Sequence, residues 1–185
     1  MIIQWIKRNY TIFSILILVI SALWTAWTAI DTPATTQGKI YTPAVGFMAP
    51  DIQLRDSMDN PIALTDFEGK IVVLNFWASW CPPCKAEMPA LQDLQNQFPD
   101  DLVVLAVHMT SQDSLEAGKA FITAEGLKFP VGYDTQGQAA RLYQICSMPT
   151  TFFIDSQGEI KDIVLGGPLS IAQLKSRIEM IREDE

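Results

Sequence analysis

The chain has 185 residues, with 13 lysines and arginines against 21 aspartates and glutamates, and its formal net charge is −8 at pH 7. Lys7 and Arg8 are the only charged residues before Asp31, so the rest of the chain has 11 basic and 21 acidic residues and a charge of −10. We expect neither nucleic acid nor anionic lipid as a binding partner, because both repel so acidic a surface.

Residues 11–30 form a segment of 20 residues without a charged side chain. A helix of that length spans roughly 30 Å, the thickness of the hydrocarbon core of a bilayer, so the segment predicts a transmembrane anchor. Lys7 and Arg8 precede it, which predicts a cytoplasmic N-terminus for residues 1–10 and an extracytoplasmic, membrane-anchored domain. A cleaved signal peptide is the alternative, but the apolar segment is long for one and Trp27 stands where a small residue is required.

Residues 31–44 are rich in threonine and proline and have no apolar period, which predicts a linker before a domain over residues 45–185. Hydrophobic periodicity and turn residues then predict the elements of that domain in chain order. The first half contains a β-hairpin over 51–54 and 61–64, a buried strand at 71–74, a helix from 82 to 98 and a buried strand at 102–107. The second half contains a helix at 111–125, a short edge strand at 129–131 and a short helix at 138–143. An antiparallel hairpin over 151–154 and 159–165 and a final helix at 170–182 with a capping box complete the domain. This order predicts an α/β domain with a central mixed β-sheet flanked by helices and an added N-terminal β-hairpin.

Cys81 and Cys84 lie at the junction between the buried strand at 71–74 and the helix that follows it. Two cysteines at this spacing and in this position predict a redox-active dithiol or disulfide. If the helix begins near Pro82, Cys81 is its N-cap, where the positive end of the helix dipole lowers the pKa of the thiol and favours the attacking thiolate. Cys84, one turn later, is expected to be more buried and to resolve the mixed disulfide.

Pro82 and Pro83 separate the two cysteines, and neither has a peptide N–H that could solvate a thiolate. We therefore expect modest stabilisation of the reduced form, which favours a reductant over a strong oxidant. Glu87 lies on the same helical face as Cys84, so a desolvated Glu87 could accept the proton of that thiol. The alternative is a solvated carboxylate on the helix surface.

Cys146 is the third cysteine, and we interpret it as a small buried hydrophobic residue, unless proximity to the dithiol makes it a third redox participant. His108 ends an apolar strand and is interpreted as structural. A zinc site needs four ligands, and these two residues are the only candidates left beside the dithiol, so no metal site is expected. Pro149 lies at the start of the late hairpin, and trans is the general default for its peptide bond.

The sequence from Val45 to Ile181 resembles the membrane-anchored thioredoxin-like proteins of the TlpA/ResA type, which are related to the redoxin (AhpC/TSA) domains. The resemblance is carried by Val45–Asp51, by Leu64–Asp66 before Gly69-Lys70, by Val73–Pro89 with its WCPPC motif, by Met148–Phe152, and by the turn at Asp155–Gly158. It implies a thioredoxin-like fold.

The resemblance implies that Cys81 attacks and Cys84 resolves, and that Glu87 is an active-site glutamate. Asn75 stands where thioredoxin has a buried aspartate, which makes Glu87 the natural substitute as proton acceptor. It also implies that Pro149 is cis and lies against the dithiol where a substrate strand pairs. The residues that it places on the substrate-binding surface are Trp80, Pro82, Pro83, Met148 and Pro149.

The resemblance implies reduction of disulfides outside the cytoplasm, notably of the haem-site cysteines of apocytochrome c, or a spore, envelope or stress function. We therefore interpret the chain as a thiol–disulfide oxidoreductase that acts by dithiol exchange, and we expect no bound cofactor. The resemblance implies a membrane electron donor of the CcdA/DsbD type. A thiol peroxidase is a second interpretation, but Ala78 stands where peroxiredoxins need threonine or serine. A copper-handling module that uses Cys81, Cys84 and His108 is a third.

Overall fold

The computed structural model describes residues 14, 15, 17–21 and 40–184. Most of the predicted anchor at 11–30 lies outside the described residues, as does the predicted linker up to residue 39; residues 14, 15 and 17–21 are helical. Among the described residues, no helix has both the length and the apolar character needed to cross a membrane. The chain divides into two compact units, Met1–Gly38 and Lys39–Glu185.

The second unit contains a seven-stranded mixed sheet in the order β2-β1-β5-β4-β3-β6-β7. Its strands are β1 (Gln53–Arg55), β2 (Pro61–Ala63), β3 (Ile71–Trp77), β4 (Leu102–His108), β5 (Val131–Tyr133), β6 (Thr150–Ile154) and β7 (Ile160–Leu165). The helices are α1 (Pro82–Gln97), α2 (Leu115–Ala124), α3 (Gln138–Leu142) and α4 (Ile171–Glu183), with short 3-10 turns at Leu64–Phe67 and Thr110–Gln112. Strand β4 is parallel to β3 and β5, and the other neighbours are antiparallel. The predicted thioredoxin-like arrangement is confirmed.

Strands β3 and β4 are the centre of the fold, and every residue in both is buried. Continuous apolar runs are typical of strands covered on both faces. Ile71 and Val73 join a core with α1 and α4, whereas Val72 and Leu74 join a second core that includes α3. Asn75 falls in the same alternation as Val73, which directs its side chain to the α1 face of the sheet.

Strand β5 was predicted at an edge, and this prediction is wrong. Tyr133 pairs with Arg55 of β1 while Val131 pairs with Ala106 of β4, so β5 lies inside the sheet. The N-terminal hairpin adds two strands on its outer side. The periodicity of a short strand cannot distinguish an edge position from an inner one. An inner strand has a second neighbouring strand, and here that neighbour comes from a distant part of the sequence.

The helix predicted from residue 111 begins only at Leu115, where Ser114 is the N-cap and its hydroxyl accepts a hydrogen bond from Ala117 N. Gly118 in this helix is explained by packing rather than by conformation. A Cβ at this position would lie 2.5 Å from Nε2 of the buried His108 ring. The capping box at the start of α4 is present as predicted, with Ser170 and Gln173 bonded reciprocally.

Candidate active site

The dithiol lies at the C-terminal end of β3, where a short loop leads into α1. Cys81 is the N-cap of α1, as predicted, and it forms a disulfide with Cys84. The peptide N–H of Cys84 donates to Cys81 Sγ at 3.3 Å. Cys84 is fully buried and Cys81 is 3% exposed, so the predicted order of burial is confirmed by a small margin.

Pro82 and Pro83 occupy the first two positions of α1, with Pro82 exposed and Pro83 half-buried. The N–H of Lys85 donates to the backbone carbonyl of Cys81 at 3.1 Å. The Cys84 N–H is therefore the peptide group of this first turn that reaches the sulfur of Cys81. An N-cap sulfur with few donors receives limited stabilisation as a thiolate.

Glu87 is completely buried on the inner face of α1, so the alternative of a solvated carboxylate is wrong. Its Oε1 accepts a hydrogen bond from Asn75 Nδ2 at 2.7 Å, and its Oε2 accepts one from Leu169 N at 3.1 Å. Burial raises the pKa of the Glu87 carboxyl above its ordinary value, although these two hydrogen bonds act in the opposite direction. A buried carboxyl with a raised pKa is suited to accept and release a proton.

Pro149 comes close to the same carboxyl. The Met148–Pro149 bond is cis, as the resemblance implied, and Pro149 is buried. A Cβ at Gly167 would lie 2.7 Å from both Glu87 Oε2 and Pro149 Cγ, so the three residues meet at one point. The loop at 166–169 thus covers Glu87 and supplies the Leu169 N–H.

The covering loop is a part of the site that the sequence analysis missed. The Gly166-Gly167-Pro168 run before α4 was the available signal, because glycines often mark a close approach of the backbone to another group. That signal does not say which group is approached. Only the fold brings residue 167 over residue 87.

Trp80 and Pro82 form the exposed surface beside the dithiol, and the Trp80 side chain is 55% exposed. Its Nε1 donates to Gln112 O at 3.1 Å, which orients the ring. Met148 is half-buried and packs against the core that contains both cysteines. The structure therefore leaves an exposed aromatic side chain next to the disulfide.

His108 belongs to a separate polar cluster at the end of β4. Its Nε2 lies 2.9 Å from Asp113 Oδ2 and its Nδ1 lies 2.9 Å from Thr110 Oγ1. Burial lowers the pKa of His108, while Asp113 acts in the opposite direction. The ring also packs against Trp77 at a centroid distance of 4.9 Å, which fits the structural interpretation.

Within residues 40–184 and the described part of the N-terminal segment, no three histidine, cysteine or acidic side chains are grouped to hold a metal ion. Cys81, Cys84 and His108 do not form such a group, so the ligand set of the copper-handling interpretation is not assembled. The imidazole Nε2 is instead hydrogen-bonded to Asp113.

Cys146 is an exposed free thiol, so its prediction as a buried hydrophobic residue is wrong. The preceding residue explains the difference, because Ile145 packs against the core that includes α3. Cys146, the next residue in the same loop, is exposed. Apolar character alone could not distinguish the two neighbours.

Comparisons with known proteins agree with this geometry. The AhpC/TSA family profile matches residues 45–163. The chain belongs to the AhpC/TSA family, as a ResA-like thiol–disulfide oxidoreductase. The thiol-disulfide oxidoreductase ResA of Oceanobacillus iheyensis is 42% identical over 86% of this chain and 83% of its own length.

Bacillus subtilis supplies a further relative and a solved structure. Its sporulation thiol-disulfide oxidoreductase A is 32% identical over 94% of this chain and 98% of its own length. The crystal structure of StoA superposes with a TM-score of 0.61 at 30% identity and covers 69% of this chain and 95% of its own. The family match over residues 45–163 includes the disulfide, Glu87 and Pro149.

Proposed function

We propose that this oxidoreductase is an extracytoplasmic, membrane-tethered reductant of protein disulfides that works through Cys81 and Cys84. The observation that carries the proposal is the disulfide at the start of α1, with a fully buried Glu87 on the same helix. The paired prolines support the reducing direction, because they leave few N–H groups to stabilise a Cys81 thiolate.

The reaction begins with the reduced dithiol. The Cys81 thiolate attacks one sulfur of a substrate disulfide, which breaks that bond and releases the other substrate sulfur as a thiolate that takes up a proton. Cys84 then gives its proton to Glu87, and its thiolate attacks Cys81 Sγ. This attack breaks the bond between Cys81 and the substrate, and the second substrate sulfur leaves as a thiolate that takes up a proton. Glu87 then releases its proton, and the Cys81–Cys84 disulfide is the oxidised product.

Glu87 suits the second step because Cys84 is fully buried and cannot give its proton directly to bulk water. Burial raises the pKa of the Glu87 carboxyl and so brings it nearer to the pKa of a thiol. A smaller difference in pKa between donor and acceptor makes the transfer less unfavourable.

The substrate surface proposed here consists of Trp80, Pro82, Pro83, Met148 and Pro149. Trp80 and Pro82 are exposed beside the disulfide, and Pro149 lies close to Glu87. A protein disulfide is the substrate class, with apocytochrome c as one candidate. A membrane protein of the CcdA/DsbD type is the proposed source of electrons that returns the disulfide to the dithiol.

The reduction potential of the Cys81–Cys84 couple tests the proposed direction. Equilibration of the full chain with glutathione buffers is expected to give a potential near the reducing end of the family range, about −250 mV or below. A value close to about −120 mV, where strong oxidants lie, would contradict a reductant. Peroxide consumption that depends on Cys81 would instead indicate a thiol peroxidase.

A trapping experiment tests the substrate class and the location. The C84A variant is expected to accumulate mixed disulfides on Cys81, and a variant that carries C81A in addition is the control in which the same proteins are lost. Recovery of apocytochrome c supports that candidate, whereas a broad set of envelope proteins indicates general reduction. Protease added to intact spheroplasts should degrade the domain if it lies outside the cytoplasm, and protection would contradict that location.

A further inference from the structure

Asn75 is buried in β3, and its side chain faces the carboxyl group of Glu87. Among the acidic residues at 40–184, Glu87 alone is completely buried. The Nδ2 of Asn75 lies 2.7 Å from Glu87 Oε1, and the Leu169 N–H lies 3.1 Å from Oε2. Both partners are neutral donors. The carboxylate is therefore held by two hydrogen bonds in a place where burial favours its protonated form.

The direction of the Asn75 amide is set by a second contact. Thr151 is the cross-strand partner of Asn75 in the β3–β6 pair, and its Oγ1 accepts from the same Nδ2 at 2.9 Å. The Asn75 Oδ1 is fully buried and has no hydrogen-bond partner among the described residues. An amide turned by half a rotation would place this oxygen against Glu87 Oε1, where it matches only a protonated carboxyl.

We propose that Asn75 is a positioning residue that controls whether Glu87 holds a proton, because its amide donates to the ionised carboxylate and leaves a carbonyl free to accept from the protonated carboxyl. The inference rests on the proposed role of Glu87 as the proton acceptor for Cys84. The amide nitrogen facing Glu87 prepares the carboxylate to receive a proton. Rotation of the amide then gives the transferred proton an acceptor.

Among the described residues, no charged group contributes to the pKa shift of Glu87. The two oxygens of Glu87 accept from Asn75 Nδ2 and Leu169 N, and Thr151 acts on Glu87 only through Asn75. Burial and these two hydrogen bonds are the causes that shift its pKa. On its own helix the neighbouring Lys85 is exposed, with its Nζ over the Phe121 ring. The remaining titratable groups are the thiols of Cys81 and Cys84, which exist only after reduction. In the oxidised protein, the titration of Glu87 therefore reports its hydrogen bonds and its burial.

The test is a carbon-13 NMR titration of the glutamate carboxyl groups in the oxidised full chain. The E87Q variant identifies the resonance by its loss. In N75A, the midpoint of the Glu87 titration is expected to rise by about one pH unit or more, because the hydrogen bond to the charged form is removed. The contact of the rotated amide with the protonated form is the weaker of the two, since rotation moves the amide nitrogen to the place where Asn75 Oδ1 has no partner among the described residues. N96A is the matched control, since Asn96 is an exposed asparagine on α1, and its midpoint should equal that of the unmodified protein.

The N75D variant keeps the shape of the side chain and covers the case in which N75A does not fold. A second carboxyl opposite Glu87 should raise the upper apparent midpoint of the pair further, because two close carboxylates resist joint ionisation. An unchanged Glu87 midpoint in a folded N75A or N75D protein overturns the inference about Asn75.

The pH dependence of substrate disulfide reduction separates this inference from the proposed function. The rate profile of N75A should move in the same direction as the carboxyl midpoint, and this shift should be absent when N75A is combined with E87Q. A moved carboxyl midpoint with an unmoved rate profile supports the role of Asn75 and contradicts Glu87 as the proton acceptor. A merely structural role of Asn75 would lower the rate at every pH without moving the midpoint.

Discussion

Asn75 and Glu87 form one buried polar cluster beside the dithiol, and His108 and Asp113 form a second at the end of the neighbouring strand β4. In the second cluster the Asp113 carboxylate accepts hydrogen bonds from Ser79 N, Ser79 Oγ and Ser114 N as well as facing His108. In the first, the Glu87 carboxylate has two neutral donors, and the carbonyl of Asn75 has no partner.

The pKa shifts of the two carboxyl groups have opposite signs. Burial raises the pKa of Glu87 and its hydrogen bonds only partly offset this. Burial also acts to raise the pKa of Asp113, but the hydrogen bonds from Ser79, His108 and Ser114 outweigh it and hold the pKa below its ordinary value. A carboxylate with many donors is locked in its charged form and stabilises the fold, whereas one with few donors can exchange a proton.

The cluster of His108 and Asp113 also helps to hold the segment before the disulfide in place. Asp113 holds Ser79, and Gln112 holds Trp80, so one loop after β4 fixes the segment that enters Cys81. The His108 and Asp113 cluster thus fixes the segment before Cys81, whereas the Asn75 and Glu87 cluster accepts the proton of Cys84 in the reaction that we propose.

Removal of the Asp113 carboxylate should give the largest loss of stability. D113A leaves the Ser79 N–H and the buried His108 without their acceptor, so we expect the free energy of unfolding to fall by about 3 kcal/mol. Urea denaturation of the oxidised protein measures this. D93A removes an exposed carboxylate from α1 and is the control, with an expected change below about 0.5 kcal/mol. Equal losses of stability in D113A and D93A would contradict the stabilising role of the hydrogen bonds to Asp113.

A glycine packs against each cluster, and the one that packs against the His108 ring is Gly118. G118A should lower the free energy of unfolding by about 1–3 kcal/mol, because the new Cβ would lie 2.5 Å from a ring that is buried and hydrogen-bonded at both nitrogens. Intrinsic helix propensity alone predicts a gain of about 1 kcal/mol. Denaturation of G118A in an H108A background is the control, where the loss should disappear. A loss that persists without the ring would exclude this packing contact as its cause.

The glycine that packs against the other cluster is Gly167, and its substitution should change the pKa of Glu87 more than the stability of the fold. A Cβ there would approach Glu87 Oε2 and Pro149 Cγ, but Gly167 is exposed and its loop can shift outward. We expect G167A to cost about 1 kcal/mol or less and to move the pKa of Glu87 down towards its ordinary value. Burial is the largest cause of the raised pKa, so water admitted by the displaced backbone should outweigh the weakened hydrogen bond from Leu169. NMR titration and denaturation measure the two effects. G137A, at the glycine before α3 and remote from Glu87 in the sequence, should leave the Glu87 titration unchanged.

The pH dependence of stability provides the smallest and most diagnostic difference. Because the pKa of Glu87 is raised by folding, its contribution to stability is complete below its unfolded value of about 4.3 and is lost as the pH rises through the folded pKa. Because the pKa of His108 is lowered, its contribution is complete above about 6.5 and is lost as the pH falls through the folded pKa.

Comparison of E87Q with the unmodified protein isolates the first of these contributions. The stability of E87Q relative to the unmodified protein should increase as the pH is raised from 4 upward, and unfolding curves at several pH values check the sign. H108Q should instead gain relative to the unmodified protein as the pH falls below about 6.5. A pH-independent difference for E87Q would contradict the raised pKa of Glu87.

The sequence alone was sufficient for the features that depend on neighbouring residues. The apolar runs of β3 and β4 predicted strands covered on both faces, and the spacing of Ser170 and Gln173 predicted the start of α4. Cys81 at the N-cap followed from Pro82 at the first helical position. Each of these depends on groups within one or two turns of the chain, where the period of the element fixes which side chains meet.

Contacts between distant segments could be decided only by the tertiary structure. Glu87 was predicted to share a helical face with Cys84, but its burial depends on Asn75 at 12 positions and on Leu169 at 82 positions along the chain. Thr151, which orients Asn75, is 76 positions away from it. The inner place of β5 was likewise set by distant partners, because the position of a strand in the sheet depends on which segments pair with it.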